Sequence, residues 1–407
     1  MSAQPVHSSA RPEARRTLWG VALFMAATVG LAACASQSET RAFVERLGTD
    51  TMAVEVYTVS DGLIQGEVVF RSPVTRYGRY SATLGADGLI SHFEVDWETP
   101  HENPEGPPSQ RFVMDIADGT ATVARRNGDE ADTLQVEVPL GTIPTTARIP
   151  VSIALWEQAV RQALASGPGT YEFSLLSPGR PQPAPNAIAR RSADSVALDF
   201  FGSPMLAAVD AQGRILGASG RETTLKVEME PADAAGLDVA ALAASYAARD
   251  AVGEGIGPAS PPASADATGG GATFTVNYSS PAKRGREIWG GLVPYDEVWR
   301  TGANAATHFT TDRDLRIGDA EIPAGTYTLW TTFTPESATL IFNTQTDIWG
   351  TAYDPAYDLG QVPLSAAARG EAVERFTIEI EPTATGGVLH LGWDTTGYSV
   401  ELVVNGA

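Results

Sequence analysis

The sequence predicts a mainly β protein, built from two antiparallel β domains that are joined by a flexible linker. Short segments that alternate apolar and polar residues recur along most of the chain, as in strands with one buried face. Turn signals such as Ser60-Asp61-Gly62 and Ala86-Asp87-Gly88 separate them, because Asp and Gly accept the backbone angles of tight turns. One Pro/Gly/Ala-rich segment interrupts the pattern and divides the chain in two.

The first 33 residues have the pattern of a bacterial lipoprotein signal peptide. Three arginines precede an apolar run, residues 17–30, which is shorter than the roughly 20 residues that a membrane-spanning helix needs. The motif Leu31-Ala32-Ala33-Cys34 then resembles the lipobox, in which a diacylglycerol group is attached to the thiol. Cys34 is the single cysteine of the chain, so a disulfide framework is excluded and lipidation accounts for the thiol.

We therefore expect a cell-envelope protein whose membrane partner is reached through the lipid on Cys34, with residues 34–46 as a tether. Ala35, in the position where Asp would favour the inner membrane, implies the outer membrane of a Gram-negative bacterium if the lipobox resemblance holds. The net charge is −21, from 28 basic and 49 acidic residues. A surface of this sign repels polyanions, so nucleic acid is not expected as a partner.

Residues 47–230 predict a large antiparallel sheet or half-barrel with one helix. Residues 150–164 place Val, Ile, Leu and Trp at helical spacing and end before Gly167-Pro168-Gly169. The whole region resembles the lipid-carrying folds of envelope proteins, although no motif carries that resemblance. Residues 231–250 are Ala-rich and predict a second helix, and residues 251–272 have the composition of a flexible linker that a protease would cut first.

Residues 273–404 predict the second β domain, and here the motifs are specific. They occur in one order at 277–281, 283–295, 298–304, 322–329, 341–343, 349–350, 353–354 and 389–393. Together they closely resemble the bacterial exported family known as Domain of Unknown Function 2911. The resemblance implies an exported β-sandwich-like domain and brings no established activity. Ala305 stands where that family commonly has Glu, which puts an acid role at this position in doubt.

The block from Trp299 to Asn304 is the best candidate for a ligand-binding site. Arg300 offers a planar set of donors that suits carboxylate or phosphate, and Asn304 offers both a donor and an acceptor. A structural role is the alternative: Arg300 pairs with Asp296 or Asp354, and Asn304 closes a turn. We expect Trp299 to be buried and to aim this segment, while the many other aromatic residues of the domain either fill its core or form a row that stacks on sugars.

His308, Tyr353 and Asp354 complete the candidate ligand-binding residues. His308 follows the recognised block and is a candidate general base, without an identifiable partner in the sequence. His92, Glu94 and Asp96 alternate along one predicted strand, which favours a solvated face over a metal site. The sequence carries no recognisable catalytic signature and predicts neither a cofactor nor a metal.

Three functions remain open from the sequence. The first is a non-catalytic binding module for an envelope glycan or a small anion. The second is a hydrolase with an unrecognised site near Arg300, Asn304 and His308. The third is a carrier of lipid or another apolar molecule in the N-terminal domain. A deep apolar cavity would favour the carrier, and a cleft joining Arg300 and His308 to a carboxylate would favour the hydrolase.

Overall fold

The computed structural model describes residues 38–102, 108–146, 152–200 and 202–406, so the predicted signal peptide and Cys34 lie outside the described residues. The described chain belongs to one compact unit. It consists of two β-sheets and two α-helices, α1 (Ile153–Ser166) and α2 (Val239–Ala251), with short 3₁₀ turns at Ala234–Gly236 and Pro355–Tyr357. Within these residues, no helix has the length and apolar character needed to span a membrane. The mainly β fold class is confirmed.

The N-terminal sheet has fifteen strands in the described part of the chain. They are β1 (Glu39–Leu47), β2 (Asp50–Ser60), β3 (Leu63–Phe70), β4 (Arg76–Leu84), β5 (Ile90–Glu98), β6 (Gln110–Ala117), β7 (Thr120–Asn127), β8 (Glu130–Glu137), β9 (Ile143–Pro144), β10 (Thr170–Ser177), β11 (Arg180–Arg190), β12 (Ser195–Phe200), β13 (Ser203–Val209), β14 (Ile215–Ser219) and β15 (Glu228–Ala232). Their order is β8 to β1, then β15 back to β9. The described strands pair antiparallel except β9 with β10.

Helix α1 lies against one face of this sheet. Its residues from Ile153 to Val160 are all buried, and the apolar ones share one core with apolar side chains from strands across the sheet, such as Phe43, Phe93 and Phe200. A sheet can surround a helix in this way only if it curves, which matches the predicted half-barrel with a helix. Helix α2 packs elsewhere, with Val239 and Ala243 against Val54, Val69 and Tyr77.

The predicted tether differs from the structure because β1 occupies most of it. Residues from Glu39 onward pair with β2 on one side, and Ala42–Arg46 pair with β15 on the other. Phe43, Glu45 and Leu47 alternate toward the buried side. A glutamate at an inward position hid this strand in the sequence pattern, since inward positions are normally apolar.

Two further strands were misjudged from the sequence. Residues 223–228 predict a strand, yet β15 begins only at Glu228, because Thr223 closes a turn with Gly220. Strand β11 was missed because Pro residues such as Pro183 and Pro185 are unusual in sheets. They are accommodated where β11 pairs with β10 alone, since β12 joins β11 only at residues 188–190.

The C-terminal sheet has ten strands among the described residues. They are β16 (Pro262–Gly269), β17 (Ala272–Ser279), β18 (Val298–Trp299), β19 (Thr307–Thr311), β20 (Leu315–Ile317), β21 (Ala320–Ile322), β22 (Gly325–Phe333), β23 (Ala338–Asn343), β24 (Asp358–Thr383) and β25 (Gly386–Val404). Strand β24 pairs first with β23 and then with β25, so it takes part in two layers. Phe274 and Phe309 from one layer share a core with Leu389 and Trp393 from the other, as in a β-sandwich.

The predicted flexible linker, residues 251–272, is contradicted over residues 262–269. Residues 262–269 form β16, which pairs with β17 along its whole length. The connecting segment, residues 252–261, is held through its backbone: six successive carbonyls, from Ile256 to Pro261, each accept a hydrogen bond. The composition correctly indicated that this segment has few apolar side chains. It could not show that polar groups elsewhere in the chain bind its carbonyls.

Residues 282–286 join the connecting segment to the N-terminal sheet. The Arg284 side chain is buried, pairs with Asp50 and donates to the Ile256 carbonyl at 3.2 Å. The Arg284 carbonyl accepts from the backbone N–H of Thr49 at 2.9 Å. The two β domains therefore contact each other directly, and the linker is not their only connection.

Candidate functional site

Trp299 is buried in an aromatic cluster of the C-terminal core. Its ring lies 5.0 Å from that of Phe376, 6.1 Å from that of Phe333 and 6.1 Å from that of Trp393. Strand β18, which contains Trp299, pairs with β22 and ends there. Because the Trp299 side chain is closely packed in this cluster, it is held in one position. It therefore fixes the direction in which the following residues leave the strand.

The turn after Trp299 is tightly constrained. Thr301 is fully buried and has a positive φ of 51°, which is rare for a β-branched residue. Its hydroxyl lies 3.2 Å from the Thr331 hydroxyl, and its carbonyl accepts from the Thr307 hydroxyl at 2.8 Å. Unfavourable backbone angles of this kind persist only where the surroundings impose them, and they concentrate at functional sites.

Asn304 closes this turn, with a φ of 59°. Its side-chain nitrogen donates to the Ser260 carbonyl at 3.3 Å and to the Ser279 hydroxyl at 3.2 Å. The amide nitrogen thus forms hydrogen bonds within the protein, in agreement with the structural role considered as the alternative for Asn304. Asn304 shapes the turn and ties it to the connecting segment.

Arg300 lies half-buried in the same turn without an acidic partner among the described residues. Its guanidinium donates to the Asn304 carbonyl at 3.2 Å. Neither expected partner pairs with it: Asp296 is exposed, and the Asp354 carboxylate accepts from the Ala356 N–H at 2.9 Å. Burial lowers the pKa of the Arg300 guanidinium, and no neighbouring carboxylate offsets this effect.

Gly350 makes room for the Arg300 side chain. A Cβ atom at this position would lie 2.4 Å from Arg300 Cδ and 2.5 Å from the Asn304 carbonyl oxygen. Gly350 N–H donates to that same oxygen at 3.0 Å, and the Ala306 N–H donates to the Ile348 carbonyl at 3.1 Å. Residues 304–306 and 348–350 thus lie side by side, with Arg300 against the second segment.

Trp349 lies in the second of these segments, residues 348–350, and is 54% exposed. It forms an isolated β-bridge with Ala305, the neighbour of Asn304. Trp349 precedes Gly350, against which Arg300 packs, so this segment carries an exposed stacking surface and the turn beside it carries an anion-binding group. The sequence does not distinguish Trp349 from the other aromatic residues of the domain, because its exposure is set by the loop that carries it.

His308 lies on β19 and is not arranged as a general base. Its Nε2 accepts the backbone N–H of Asp347 at 3.0 Å, and the Asp347 carboxylate is 3.9 Å away. Within the described residues, no hydroxyl or thiol is hydrogen-bonded to His308. The structure therefore does not bring this histidine together with a nucleophile.

Tyr353 and Asp354 belong to the loop that follows Gly350. The Tyr353 hydroxyl donates to Asp358 at 2.7 Å. Burial is the largest cause of the raised pKa of Tyr353, and the Asp358 carboxylate raises it further. The Tyr353 ring packs 4.9 Å from that of Trp330, while Asp354 caps the short helix at Pro355–Tyr357. Both residues stabilise the loop that carries Trp349.

The comparison with family models decides the class of this domain. Residues 260–402 match the family described as protein of unknown function DUF2911. Residues 260–402 are therefore similar to the DUF2911 family, and this region is called the DUF2911 domain below. The match confirms the resemblance read from the sequence motifs. It begins within two residues of β16, which places that strand in the DUF2911 domain and not in a linker.

Other comparisons add little about function. No curated protein matches the chain. A DUF1089 family protein from Pseudomonas aeruginosa is 17% identical with a TM-score of 0.30, over 42% of this chain and 90% of that one. A β-barrel-like DUF1849 protein from Brucella abortus is 12% identical with a TM-score of 0.31, over 48% of this chain and 93% of that one. Neither similarity is high enough to carry an argument beside the DUF2911 match.

The polar row of β5 is compensated by charged groups on neighbouring β6. His92 Nδ1 lies 2.7 Å from Asp115 Oδ1, and Arg111 donates to both Glu94 and Asp96, at 2.6 and 2.7 Å. In the described part of the chain, no three metal-ligating side chains are grouped to hold a metal. The row is a partly solvated face whose two acidic side chains pair with Arg111.

Proposed function

We propose that this protein is an envelope lipoprotein, anchored through lipid on Cys34, whose DUF2911 domain binds an anionic ligand at Arg300 and Trp349. The observation that carries the binding proposal is the Arg300 guanidinium, which is half-buried and has no carboxylate partner among the described residues. An arginine left without one is suited to an incoming carboxylate or phosphate.

The exposed Trp349 ring narrows the class of ligand. Aromatic rings stack on the apolar faces of sugars, and an arginine binds a carboxylate through two parallel hydrogen bonds. An acidic sugar unit of an envelope glycan would use both groups, whereas a free anion would use Arg300 alone. We therefore favour an acidic glycan over a simple anion.

The other two functions have less support. A hydrolase near Arg300 would need a nucleophile and a base in contact, and His308 instead accepts a backbone N–H. A carrier of an apolar molecule would need a deep apolar cavity. The cavity beside α1 has a volume of about 20 Å³, and two open clefts on the N-terminal sheet, of about 440 and 470 Å³, have polar residues along half or more of their lining.

We predict that Arg300→Ala weakens ligand binding and leaves the melting temperature nearly unchanged. No carboxylate among the described residues loses its partner, so the stability cost should stay within about 1 kcal/mol. Binding would be measured by titrating glucuronate, inorganic phosphate and N-acetylglucosamine against the purified protein. Wild type should bind glucuronate more tightly than the neutral sugar, and Arg300→Ala should lose about tenfold or more of that affinity, as a charged hydrogen bond warrants.

Arg316→Ala is the matched control, because Arg316 is an exposed arginine of the same domain. If stacking contributes, Trp349→Ala should weaken the binding of glucuronate but not the binding of phosphate. A large fall in melting temperature in Arg300→Ala would mean that the guanidinium is structural. Equal titration curves for wild type, Arg300→Ala and Arg316→Ala, with the fold intact, would reject the site.

The lipid anchor makes a separate prediction. Cys34→Ala should move the protein from the membrane fraction to the soluble fraction, since a chain without its lipid loses the apolar area that holds it to a bilayer. Mass spectrometry of the mature N-terminus of the native protein should find Cys34 as the first residue, carrying acyl groups. An unmodified Cys34 in membrane-bound native protein would contradict the anchor and leave the binding proposal untouched.

A further inference from the structure

A small cavity lies between the N-terminal sheet and the start of α1. Its volume is about 20 Å³, which is room for a single water molecule. Most of its lining is apolar, with side chains such as Phe43 and Met229, yet two glutamates also face it: Glu45 from β1 and Glu55 from β2. These side chains are only 6% and 5% exposed. Carboxyl groups are rarely buried without an ionic partner, because burial disfavours their charged form, so two of them beside one buried cavity are unusual.

Glu55 holds the first turn of α1. Its carboxylate accepts the Ile153 N–H at 2.7 Å and the Ser152 hydroxyl at 2.6 Å, where Ser152 is the N-cap of the helix. The Tyr80 hydroxyl of β4 donates to the same carboxylate at 2.5 Å. Three donors and the positive end of the helix dipole make Glu55 the carboxyl that ionises more readily.

Glu45 has the opposite environment. Its Oε2 atom is buried without a hydrogen-bond partner. Burial, together with repulsion from Glu55, raises the pKa of Glu45 to about 8, while burial raises that of Glu55 to about 7 against its three donors. At neutral pH, Glu45 is therefore mostly protonated, whereas Glu55 is ionised in about half of the molecules.

The remaining charged groups near this site do not neutralise Glu45. On α1, Glu157 adds a negative charge, which raises the pKa of Glu55. On β1, Arg41 is committed to Glu157 and to the Tyr57 hydroxyl of β2. Strands β3 and β15 line the cavity with the apolar side chains Val68 and Met229. A second ionisation would thus place an unpaired charge in an apolar cavity.

We propose that Glu45 and Glu55 form a proton-dependent latch on α1. While Glu45 keeps its proton, Glu55 holds the first turn of the helix, and the cavity accommodates one water molecule that completes the hydrogen bonding of Glu45. When Glu45 loses its proton, repulsion between the two carboxylates opens the cavity to solvent and releases that turn. The latch lies in the N-terminal domain and is independent of the ligand site at Arg300.

The test is hydrogen exchange of the α1 backbone as a function of pH, corrected for the intrinsic exchange rate. The open state has ordinary carboxyl groups, with a pKa near 4.5, so raising the pH from about 6 to about 8 should favour opening by about tenfold or more. Opening increases with pH because the carboxyl pKa values are higher in the closed state than in the open state. The closed state therefore loses stability as the pH rises. In Glu45→Gln this dependence should shrink to the smaller contribution of Glu55.

A second measurement keeps the proposal testable if Glu45→Gln does not fold. The infrared carbonyl band of a protonated carboxyl should be present in wild type at about pH 6 and should fade as the pH rises. The apparent pKa of this fading should equal the apparent pKa of α1 opening measured by hydrogen exchange. Glu230→Gln is the control, because Glu230 is an exposed residue of β15 that pairs with Arg46. The proposal is overturned if wild type lacks the band, if band and opening have different pKa values, or if a folded Glu45→Gln keeps the wild-type pH dependence.

Discussion

Arg41→Met should lower the free energy of unfolding by about 3–5 kcal/mol, the usual cost of removing one partner of a buried ion pair. Arg41 pairs with Glu157, whose side chain is fully buried in the middle of α1. Without Arg41, the Glu157 carboxylate keeps the Ile215 N–H at 2.8 Å, with Arg161 at 3.6 Å. Denaturant unfolding at neutral pH would measure the loss.

The pH dependence of this variant distinguishes electrostatics from lost packing. Burial raises the pKa of Glu157, against the opposing effect of Arg41, so the substitution should raise that pKa further. A carboxyl with a raised folded-state pKa destabilises the fold only when ionised. The deficit should therefore shrink as the pH falls toward the ordinary carboxyl value near 4.5.

Two further variants serve as controls for Arg41→Met. Adding Glu157→Gln should recover most of the loss, because no buried charge remains and the Ile215 N–H still has an acceptor. Arg46→Met removes a surface arginine from the same strand, and its pair with Glu230 is exposed, so it should cost no more than about 1 kcal/mol. A deficit that is independent of pH and persists in the double variant would contradict the buried-pair account.

Trp393→Ala should destabilise the DUF2911 domain by about 3–5 kcal/mol, as truncation of a buried tryptophan usually does. Trp393 is fully buried, stacks 6.1 Å from Trp299 and packs 5.8 Å from Phe376. Its indole N–H donates to the Glu374 carbonyl at 3.1 Å, so the substitution also removes a hydrogen bond. Thermal unfolding followed by calorimetry would measure the effect.

Trp349→Ala is the matched control for Trp393→Ala, because Trp349 is a tryptophan of the same domain with more than half of its surface exposed. Its loss should change stability by about 0.5 kcal/mol or less. If the two variants were equally stable, the aromatic cluster around Trp299 would not be the structural support of the Arg300 turn. If Trp349→Ala were the more damaging, the exposed ring would have a structural role and would be a poor candidate for ligand stacking.

The direct contacts between the two domains change how their coupling should be viewed. The sequence suggested two independent modules on a flexible linker. Instead, Arg284 of the DUF2911 domain reaches Asp50 of the N-terminal sheet and the Ile256 carbonyl of the connecting segment. The connecting segment is also tied to Asn304, in the turn that carries Arg300. The proposed ligand site at Arg300 is therefore linked, through Asn304, to the segment between the domains.

The sequence by itself determined the mainly β class, helix α1 and the DUF2911 domain. Each depends on local information: alternation of period two for strands, helical spacing after residue 150, and motifs whose order survives in one dimension. The block around Trp299 and Arg300 was selected as a candidate site in the same way, since its residue types are distinctive, and its role remains a prediction. What the sequence could not show was which of these side chains would have a partner.

Only the tertiary structure decided the environment of each polar group. Glu45 is an ordinary glutamate in the sequence and becomes a buried carboxyl because β1 lies in the middle of the N-terminal sheet. The connecting segment has the composition of a linker and is ordered because six of its carbonyls find donors far away in the chain. Arg300 has acidic residues near it in sequence, yet no acidic side chain in the described part of the chain lies within pairing distance of it. Pairing depends on side-chain direction and long-range packing, which residue types alone do not specify.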